Sequence, residues 1–556
     1  MRPLLLTAIV VRLAACLVAD AHEITLKPGM PALTNVGVPL LWQDVPNADK
    51  AHAEARITPE KPYRWVSDLG EPFRATAVVG AKAGGDSAVL TVWDWNRTPI
   101  AQVKLTAPGE EALSFTVTGR GTYLLTLDVL AGAKPIWRLP RSFSVCPSNL
   151  QRRETFGGDQ FFLGTCSYPD RQNWGNDYGP GHPPQFTEQQ SRELEADLVA
   201  RLGMQVVRIG PLGYWYDEAK PIDFELGDAC VQTLAARGLK LDLQLGTGFE
   251  WMILDKYRAV KDPKWRYPPR EEPLRRFTRA SVERYAKYAS FIEVWNEPDN
   301  RDFWRGTPQE FVADLRATVS EIRKAAPNAV IANGGYCFIE PTWTGIIARE
   351  IKGLTDWQAY HSHGEVPITA NALGTMRAVH AAAGYDHPVF VNTEMGYMAW
   401  RLDFEREMAA TAAQKALYCW AHGNRGALLY CSREYGGPRG NDYGFLDYTF
   451  CPRFMYGAIA ALVDGYAGAR FSRILREDRD LHAYEFIAGD RRLIALFAPE
   501  NRDLAVTVKS DARQAQILDA MGNASPIASA QDSKMTATVY PTTLLLEGAT
   551  KVEIAP

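Results

Sequence analysis

Two periodic patterns of hydrophobic and polar residues, one typical of strands and one of alternating strands and helices, divide the chain into three regions. In residues 22–150, short apolar stretches carry a polar residue at every second position, as around Leu113, Phe115 and Val117. Turn-forming residues such as Gly84-Gly85 separate these stretches, as is typical of strands joined by tight turns. We therefore predict a small β-sandwich for this region.

From about residue 156 the pattern changes to short apolar strands that alternate with helical segments. Two of the helices begin with capping boxes, Thr187-Glu-Gln-Gln190 and Thr307-Pro-Gln-Glu310. The predicted strands are 161–165, 205–209, 241–245, 291–294, 330–332, 357–360, 389–391 and 427–430. Eight such alternations predict an α/β fold, a (β/α)8 TIM barrel over residues 156–465. Strand patterns return in residues 466–556 and predict a second β-sandwich.

Two of the predicted barrel strands end in a glutamate. The fourth runs into Trp295-Asn-Glu-Pro298, where Pro298 cannot continue a sheet ladder, and the seventh ends at Glu394. Strands four and seven lie across the opening of an eight-stranded ring, so Glu297 and Glu394 are expected to face each other there. Two facing carboxyl groups suit cleavage of a glycosidic bond, which needs one acid and one ionised nucleophile. Their proximity separates their pKa values, which allows both states at one pH.

The motif Trp295-Asn-Glu-Pro298, in register with Glu394, resembles clan A of the glycoside hydrolases, the "4/7" barrel superfamily. A small β-domain, a barrel and a C-terminal strand domain are similar to the β-xylosidase, α-iduronidase and arabinofuranosidase relatives in that clan. The resemblance implies that Glu297 is the acid/base and Glu394 the nucleophile of a retaining enzyme. It also implies that Asn296 bonds the sugar 2-hydroxyl and that Arg208 holds the nucleophile ionised. A salt bridge at the barrel rim is the alternative role for Arg208.

The sixth strand departs from the clan pattern in Tyr360-His361-Ser-His363. His361 fits the histidine of the clan, whereas His363 stands where a tyrosine usually bonds the nucleophile. The resemblance therefore passes that role to His363 or Tyr360, or leaves it unfilled. A His-x-His pattern also occurs in metal sites, but the sequence shows no carboxylate-rich partner set. We expect no metal and no cofactor.

The loop after the third strand combines aromatic and basic residues. Its aromatic residues are Trp251, Tyr257, Trp265 and Tyr267, and its basic residues are Lys256, Arg258, Lys261, Lys264, Arg266 and Arg270. Trp251 is a candidate platform for an acidic or sulfated glycan, and a solvated loop with structural aromatics is the equal alternative. The loop after the first strand, with Tyr168, Trp174 and Tyr178, has the same two interpretations.

Composition narrows the possible partners. The chain of 556 residues is 46% hydrophobic and 23% charged with a net charge of −4, which favours a soluble globular protein and no nucleic-acid partner. Its 15 tryptophans and 23 tyrosines suit either sugar faces or core packing. The seven cysteines beyond Cys16 show no C-x-x-C spacing, which favours buried free thiols over a disulfide framework or a zinc site. Oligomeric state is not predicted.

The first 21 residues have the pattern of a secretory signal peptide, although Arg12 interrupts its apolar run. Leu13-Ala-Ala-Cys16 resembles a bacterial lipoprotein processing site, so acylation of Cys16 is the alternative. No later run approaches the ~20 apolar residues of a membrane span. We expect a secreted or periplasmic glycoside hydrolase acting on an oligo- or polysaccharide. The alternatives are a catalytically silent carbohydrate-binding barrel and a transglycosylase.

Overall fold

The computed structural model describes residues 21–34, 36, 45–46, 48, 54–61, 64–170, 187–246, 248–399, 405–434, 443–499, 504–527, 532–538 and 541–555. The expected leader up to residue 20, with Cys16, lies outside the described residues, as do Trp174 and Tyr178. Among the described helices, none has the length and apolar character needed to cross a membrane. The cysteines of the described ranges are free thiols, and all but Cys337 are buried, as the sequence favours.

The N-terminal region folds into two packed sheets. Its strands are His22–Leu26 (β1), Ala55–Pro59 (β2), Val66–Ser67 (β3), Phe73–Val79 (β4), Ser87–Trp93 (β5), Pro99–Thr106 (β6), Gly109–Val117 (β7), Gly121–Ala131 (β8) and Lys134–Val145 (β9). The strand orders are β1-β7-β4-β2 and β3-β9-β8-β5-β6. Every second residue of β4 is buried, and Phe73 stacks on Phe143 of the other sheet with 4.3 Å between ring centres. The predicted sandwich is confirmed.

The central region is a closed barrel of parallel strands. Its strands are Phe162–Cys166 (β10), Val206–Ile209 (β11), Lys240–Leu245 (β12), Ala289–Asn296 (β13), Ile331–Gly335 (β14), Trp357–His363 (β15), Val389–Gly396 (β16) and Gly426–Leu429 (β17). Its helices are Glu188–Leu202 (α1), Glu225–Ala235 (α2), Glu271–Tyr285 (α3), Pro308–Ala325 (α4), Pro341–Ile351 (α5), Val366–Ala382 (α6), Glu405–Ala421 (α7) and Phe454–Gly465 (α8). Both predicted capping boxes form, at Thr187 and Thr307. The predicted TIM barrel is confirmed, and β17 closes it by pairing with β10.

Aromatic side chains fill the end of the barrel where the strands begin. Phe162, Phe291 and Trp357 lie in the first half of β10, β13 and β15, with ring centres 5.1 to 6.1 Å apart. This packing closes that end of the barrel. Polar side chains at the other ends of the parallel strands therefore gather at the opposite mouth.

Two further sheets end the chain, with antiparallel pairing throughout the described residues. Their strands are Arg470–Glu477 (β18), His482–Ala488 (β19), Arg491–Phe497 (β20), Leu504–Ser510 (β21), Gln514–Leu518 (β22), Ala524–Pro526 (β23), Asp532–Ala537 (β24), Thr542–Glu547 (β25) and Val552–Ala555 (β26). The strand orders are β18-β19-β20-β25-β22-β23 and β24-β21-β26. This agrees with the predicted C-terminal β-sandwich.

The three regions meet at Gly457 of α8. A Cβ atom on Gly457 would lie 2.3 Å from Oγ1 of Thr122 in the N-terminal sandwich and 2.9 Å from the sulfur of Met521 in the C-terminal region. Beside this point, the Ser142 hydroxyl donates to the carbonyl oxygen of Pro452 at 2.6 Å. The junction therefore has room for hydrogen at this position and for no side chain.

Candidate active site

The structure brings Glu297 and Glu394 together at the mouth of the barrel. Glu297 directly follows β13, and Glu394 is the third residue from the end of β16. One carboxylate oxygen from each lies within 4.8 Å of the other, and both lie within that distance of one nitrogen of His361 and one of His363. Each glutamate is only 6% exposed, but polar groups rather than packed hydrocarbon surround the carboxylates.

A sharp turn after β13 aims Glu297 into the mouth. Trp295 and Glu297 have φ angles of +76° and +42°, in the left-handed region that side chains disfavour. The Asn300 amide donates to Glu297 Oε2 at 2.8 Å, and the Asn300 backbone N–H donates to the Glu297 carbonyl. These bonds hold the carboxylate in a conformation that a regular strand end would not give.

Arg208 of β11 donates hydrogen bonds to Glu394, Asn296 and Glu293 inside the barrel. Its Nη1 donates to Glu394 Oε1 at 2.6 Å, and its Nη2 donates to the side-chain oxygen of Asn296 at 2.7 Å. Burial alone would raise the pKa of Glu394. The positive charges of His361 and Arg208 and the contact with His363 lower it to about 2. The structure thus places Arg208 against the glutamate rather than in a salt bridge at the rim.

Two buried carboxyl groups beside Arg208 are absent from the sequence prediction. Glu293 of β13 accepts from Arg208 Nε at 2.9 Å and from the backbone N–H of Gly335 at 2.8 Å. Asp242 of β12 lies 3.6 Å from Arg208 Nε. Burial and the adjacent Glu293 raise the pKa of Asp242 well above its usual range, which favours the neutral form of this carboxyl. A charged residue within an apolar strand, as in Phe291-Ile-Glu-Val294, was the available signal for Glu293.

His361 of β15 links the two glutamates. Its Nδ1 lies 2.8 Å from Glu297 Oε1 and 3.7 Å from Glu394 Oε2. Burial would lower the pKa of His361, but the charge of Glu394 and the hydrogen bond with Glu297 raise it. In turn, burial would raise the pKa of Glu297, but the hydrogen bond with His361 lowers it. The 2.8 Å hydrogen bond places one proton between His361 and Glu297, and both pKa directions favour the imidazole as its carrier.

His363 and three tyrosines form one wall of the site. His363 Nε2 lies 3.4 Å from Glu394 Oε2, so His363 occupies the position beside Glu394 that the resemblance left open. Its ring packs edge-on against Tyr430 and Tyr443, with 5.5 Å between ring centres in both pairs. Tyr168 packs in turn against Tyr430. Sequence reasoning did not single out Tyr430 or Tyr443, whose ring faces suit a sugar.

Two other residues singled out from the sequence, Tyr360 and Trp251, are held by contacts away from Glu297 and Glu394. Tyr360 is fully buried, and its hydroxyl donates to the side-chain oxygen of Asn424 at 3.1 Å, on the helix-facing side of β15. Neighbouring residues of a strand point to opposite sides, so Tyr360 faces away from the mouth that His361 faces. Tyr360 therefore neither takes the role beside Glu394 that the resemblance offered it nor contacts a substrate in the mouth, and that expectation is wrong. Trp251 packs against Trp215 and donates its indole N–H to the Trp215 carbonyl, so its contacts are those of a structural aromatic.

A buried lysine supports the mouth from outside the barrel. Lys415 of α7 donates to the carbonyl oxygens of Ser362, Gly364 and Gly396. Ser362 stands between the two histidines of β15, and Gly396 ends β16 two residues after its glutamate. Lys415 therefore ties together the two strand ends that carry most of the site. Burial lowers the pKa of Lys415 to about 7.

No family model matches the chain, and no curated protein matches its sequence. Solved structures match its fold. A family 39 glycoside hydrolase from Bacteroides cellulosilyticus has a TM-score of 0.65 at 14% identity, over 88% of this chain and 100% of its own. A monomeric beta-xylosidase from Caulobacter crescentus has a TM-score of 0.50 at 15% identity, over 71% of this chain and 98% of its own. A GH39 enzyme from Xanthomonas axonopodis pv. citri has a TM-score of 0.50 at 13% identity, over 71% and 96%.

These matches define the class of fold. The chain shares a barrel with flanking β-domains with these glycoside hydrolases, which is the fold that the sequence predicted. At these identities the likeness concerns the fold alone.

Proposed function

We propose that this protein is a retaining glycoside hydrolase that cleaves O-glycosidic bonds of an oligo- or polysaccharide. The observation that carries the proposal is the approach of Glu297 and Glu394, whose oxygens come within 4.8 Å at one mouth of the barrel. Retaining enzymes place their carboxyl groups about 5–5.5 Å apart, whereas inverting enzymes need about 6.5–9.5 Å to admit a water. The short separation favours direct attack by a carboxylate.

The electrostatics favour Glu394 as the nucleophile. The pKa of Glu394 is lowered to about 2, so it stays ionised at any ordinary pH. In the first step a Glu394 oxygen bonds the anomeric carbon while the departing oxygen takes a proton. In the second step water displaces Glu394 from the sugar, and the anomeric configuration is restored.

Glu297 is the matching acid and base. It shares a proton with His361 at 2.8 Å, and this proton passes through Glu297 to the departing oxygen. The ionised Glu297 then takes a proton from the attacking water. Asn296 accepts from Arg208 through its side-chain oxygen, which orients its amide nitrogen to donate to a sugar hydroxyl.

The test is hydrolysis of a panel of aryl β-glycosides and plant or algal polysaccharides, with β-xylosides first because one fold neighbour is a beta-xylosidase. NMR of the first-formed anomer is expected to show retention. Glu394→Gln, folded by circular dichroism, is expected to lose nearly all turnover. An inverted product would exclude the nucleophile assignment. If no substrate of the panel is hydrolysed but glycans still bind, a non-catalytic barrel would be favoured. New glycosides formed with acceptor sugars would indicate a transglycosylase.

We also propose that the protein is exported, on the basis of the apolar N-terminal stretch and its small-x-small end. Mass spectrometry of the mature N-terminus tests this directly. A chain that begins at His22 would support a cleaved leader. An acylated Cys16 would identify a lipoprotein, and an intact Met1 in the cell interior would exclude export.

A further inference from the structure

The mouth of the barrel gathers two imidazoles and two carboxylates around one point. One donor atom from each of Glu297, His361, His363 and Glu394 lies within 4.8 Å of every other. The sequence shows His361 and His363 without carboxylate partners. The fold supplies both partners, because β13 and β16 end at the same mouth as β15.

The distances suit a small tetrahedral metal ion. His361 Nδ1 lies 2.8 Å from Glu297 Oε1 and 3.7 Å from Glu394 Oε2, and His363 Nε2 lies 3.4 Å from that Glu394 oxygen. Zinc bonds of about 2.0–2.2 Å to nitrogen and oxygen put neighbouring tetrahedral ligands about 3.4 Å apart. These three separations lie within about 0.6 Å of that value, and the widest of the other pairs, at most 4.8 Å apart, would have to close by up to about 1.4 Å when the ion binds.

The charges of the pocket also favour a cation. The carboxylate of Glu293 lies 2.9 Å from the Arg208 guanidinium and balances the charge of this cation, so Glu297 and Glu394 add two further carboxylates at the mouth. Glu394 gives Oε1 to Arg208 and turns Oε2 toward the histidines. The oxygens that face the histidines thus remain available to a metal.

We propose that Glu297, His361, His363 and Glu394 bind one zinc ion, and that this ion inhibits the enzyme in competition with the sugar. Imidazole nitrogens favour zinc over magnesium or calcium, which prefer all-oxygen sites. Bound zinc occupies both carboxylates, so Glu394 cannot attack carbon and Glu297 cannot transfer a proton. The inhibition rests on the proposed function, whereas the binding does not.

The binding experiment is isothermal titration of the chelator-treated full chain with zinc chloride at neutral pH. One site per chain is expected, with no comparable heat from magnesium. His363→Ala is expected to weaken zinc binding by at least about 100-fold, the upper end of the loss caused by removing an outer-sphere partner. His363 is part-exposed, so this variant is expected to fold. His387→Asn, an exposed histidine just before β16, is the control and is expected to bind as the wild type does.

The visible spectrum of bound cobalt and the effect of zinc on hydrolysis distinguish this site from adventitious binding. Cobalt is expected to give the intense visible bands of a tetrahedral ion in the wild type and to lose them in His363→Ala. Equal zinc affinity in both proteins, or no binding in the wild type, would overturn the metal site. Zinc that binds but leaves hydrolysis unchanged would overturn the inhibition. Zinc binding by a protein that hydrolyses no glycoside would support the site and count against the proposed function.

Discussion

The imidazole of His361 lies 2.8 Å from the carboxylate of Glu297, so the two side chains hold one proton between them. The same imidazole lies 3.7 Å from Glu394 and helps to keep that carboxylate ionised. One residue of β15 thus influences both proposed catalytic groups. The protonation state of the site depends on this arrangement rather than on repulsion between the two glutamates alone.

The first prediction concerns the pH dependence of kcat/KM. Glu394 must be ionised, and its pKa is lowered to about 2, so activity should persist well below the ordinary glutamate value of about 4.3. On the alkaline side, activity falls when the proton of the His361–Glu297 pair is lost. The pKa of His361 is raised, so this fall should occur above its ordinary value of 6.5.

The measurement is the initial rate across the pH range, with circular dichroism at each pH to exclude unfolding. An alkaline limb below 6.5 would contradict the shared proton. An acidic limb near the ordinary glutamate value, in protein that is still folded, would contradict the arrangement of charges around Glu394.

The second prediction concerns Glu297→Ala. Removal of the general acid should slow hydrolysis of substrates with poor leaving groups by about 10²- to 10⁴-fold. Azide should restore turnover of activated aryl glycosides, because a small anion can enter the vacated space and attack the glycosyl-enzyme. The product is expected to be a glycosyl azide of retained configuration. Glu394→Ala is the control, and the absence of any azide effect on Glu297→Ala would refute the acid/base role.

The third prediction compares the two carboxyl groups beside Arg208. Glu293→Gln leaves the buried guanidinium short of an anion and should cost about 3–5 kcal/mol of unfolding free energy. Burial and Glu293 raise the pKa of Asp242, which favours its neutral form, so Asp242→Asn should cost much less. Denaturant unfolding of both variants measures the difference. A larger loss for Asp242→Asn would mean that the charge of the pair lies on Asp242 instead.

The fourth prediction concerns Lys415. Lys415→Met removes the side-chain donor to the carbonyls of Ser362 and Gly364, at about 1–3 kcal/mol for each one that stays buried and unpaired, whereas the Gly396 carbonyl keeps the Gly364 N–H at 2.8 Å. The ends of β15 and β16 should lose their relative position, so kcat should fall more than KM rises. Lys352→Met, at an exposed lysine after α5, is the control. Wild-type kcat in Lys415→Met at a temperature where it is folded would show that the lysine does not position the site.

The fifth prediction uses the same substitution at two helical glycines. Gly457→Ala should destabilise the protein by about 1–3 kcal/mol, because the new methyl group meets Thr122 at 2.3 Å. Gly374→Ala in α6 meets nothing within 4 Å and should stabilise it by about 0.4–1 kcal/mol. Thermal unfolding of both variants provides the measurement. Stabilisation by Gly457→Ala would show that the three regions are less tightly packed at this point.

The position of each barrel strand followed from the sequence because the strands are buried and mostly apolar, and because capping boxes mark the start of two of the helices between them. Trp295-Asn-Glu-Pro298 and Glu394 could be placed at one mouth for the same reason, since parallel strands end together. The sequence pattern did not predict which side of the barrel wall Tyr360 faces. β15 carries apolar and polar residues on both faces, and only the packing of Tyr360 against α7 and Asn424 assigns it to the outside.

The order of elements, the class of fold and the two glutamates follow from local periodicity and short motifs, which are properties of the amino-acid sequence. The partners of those glutamates follow from the folded barrel and not from the sequence pattern. β16 carries one extra residue between Asn392 and Glu394 relative to β15, and no periodicity predicts such a bulge. The contacts of Arg208 with Glu293 and Glu394 join strands far apart in the chain, so they exist only once the barrel has closed.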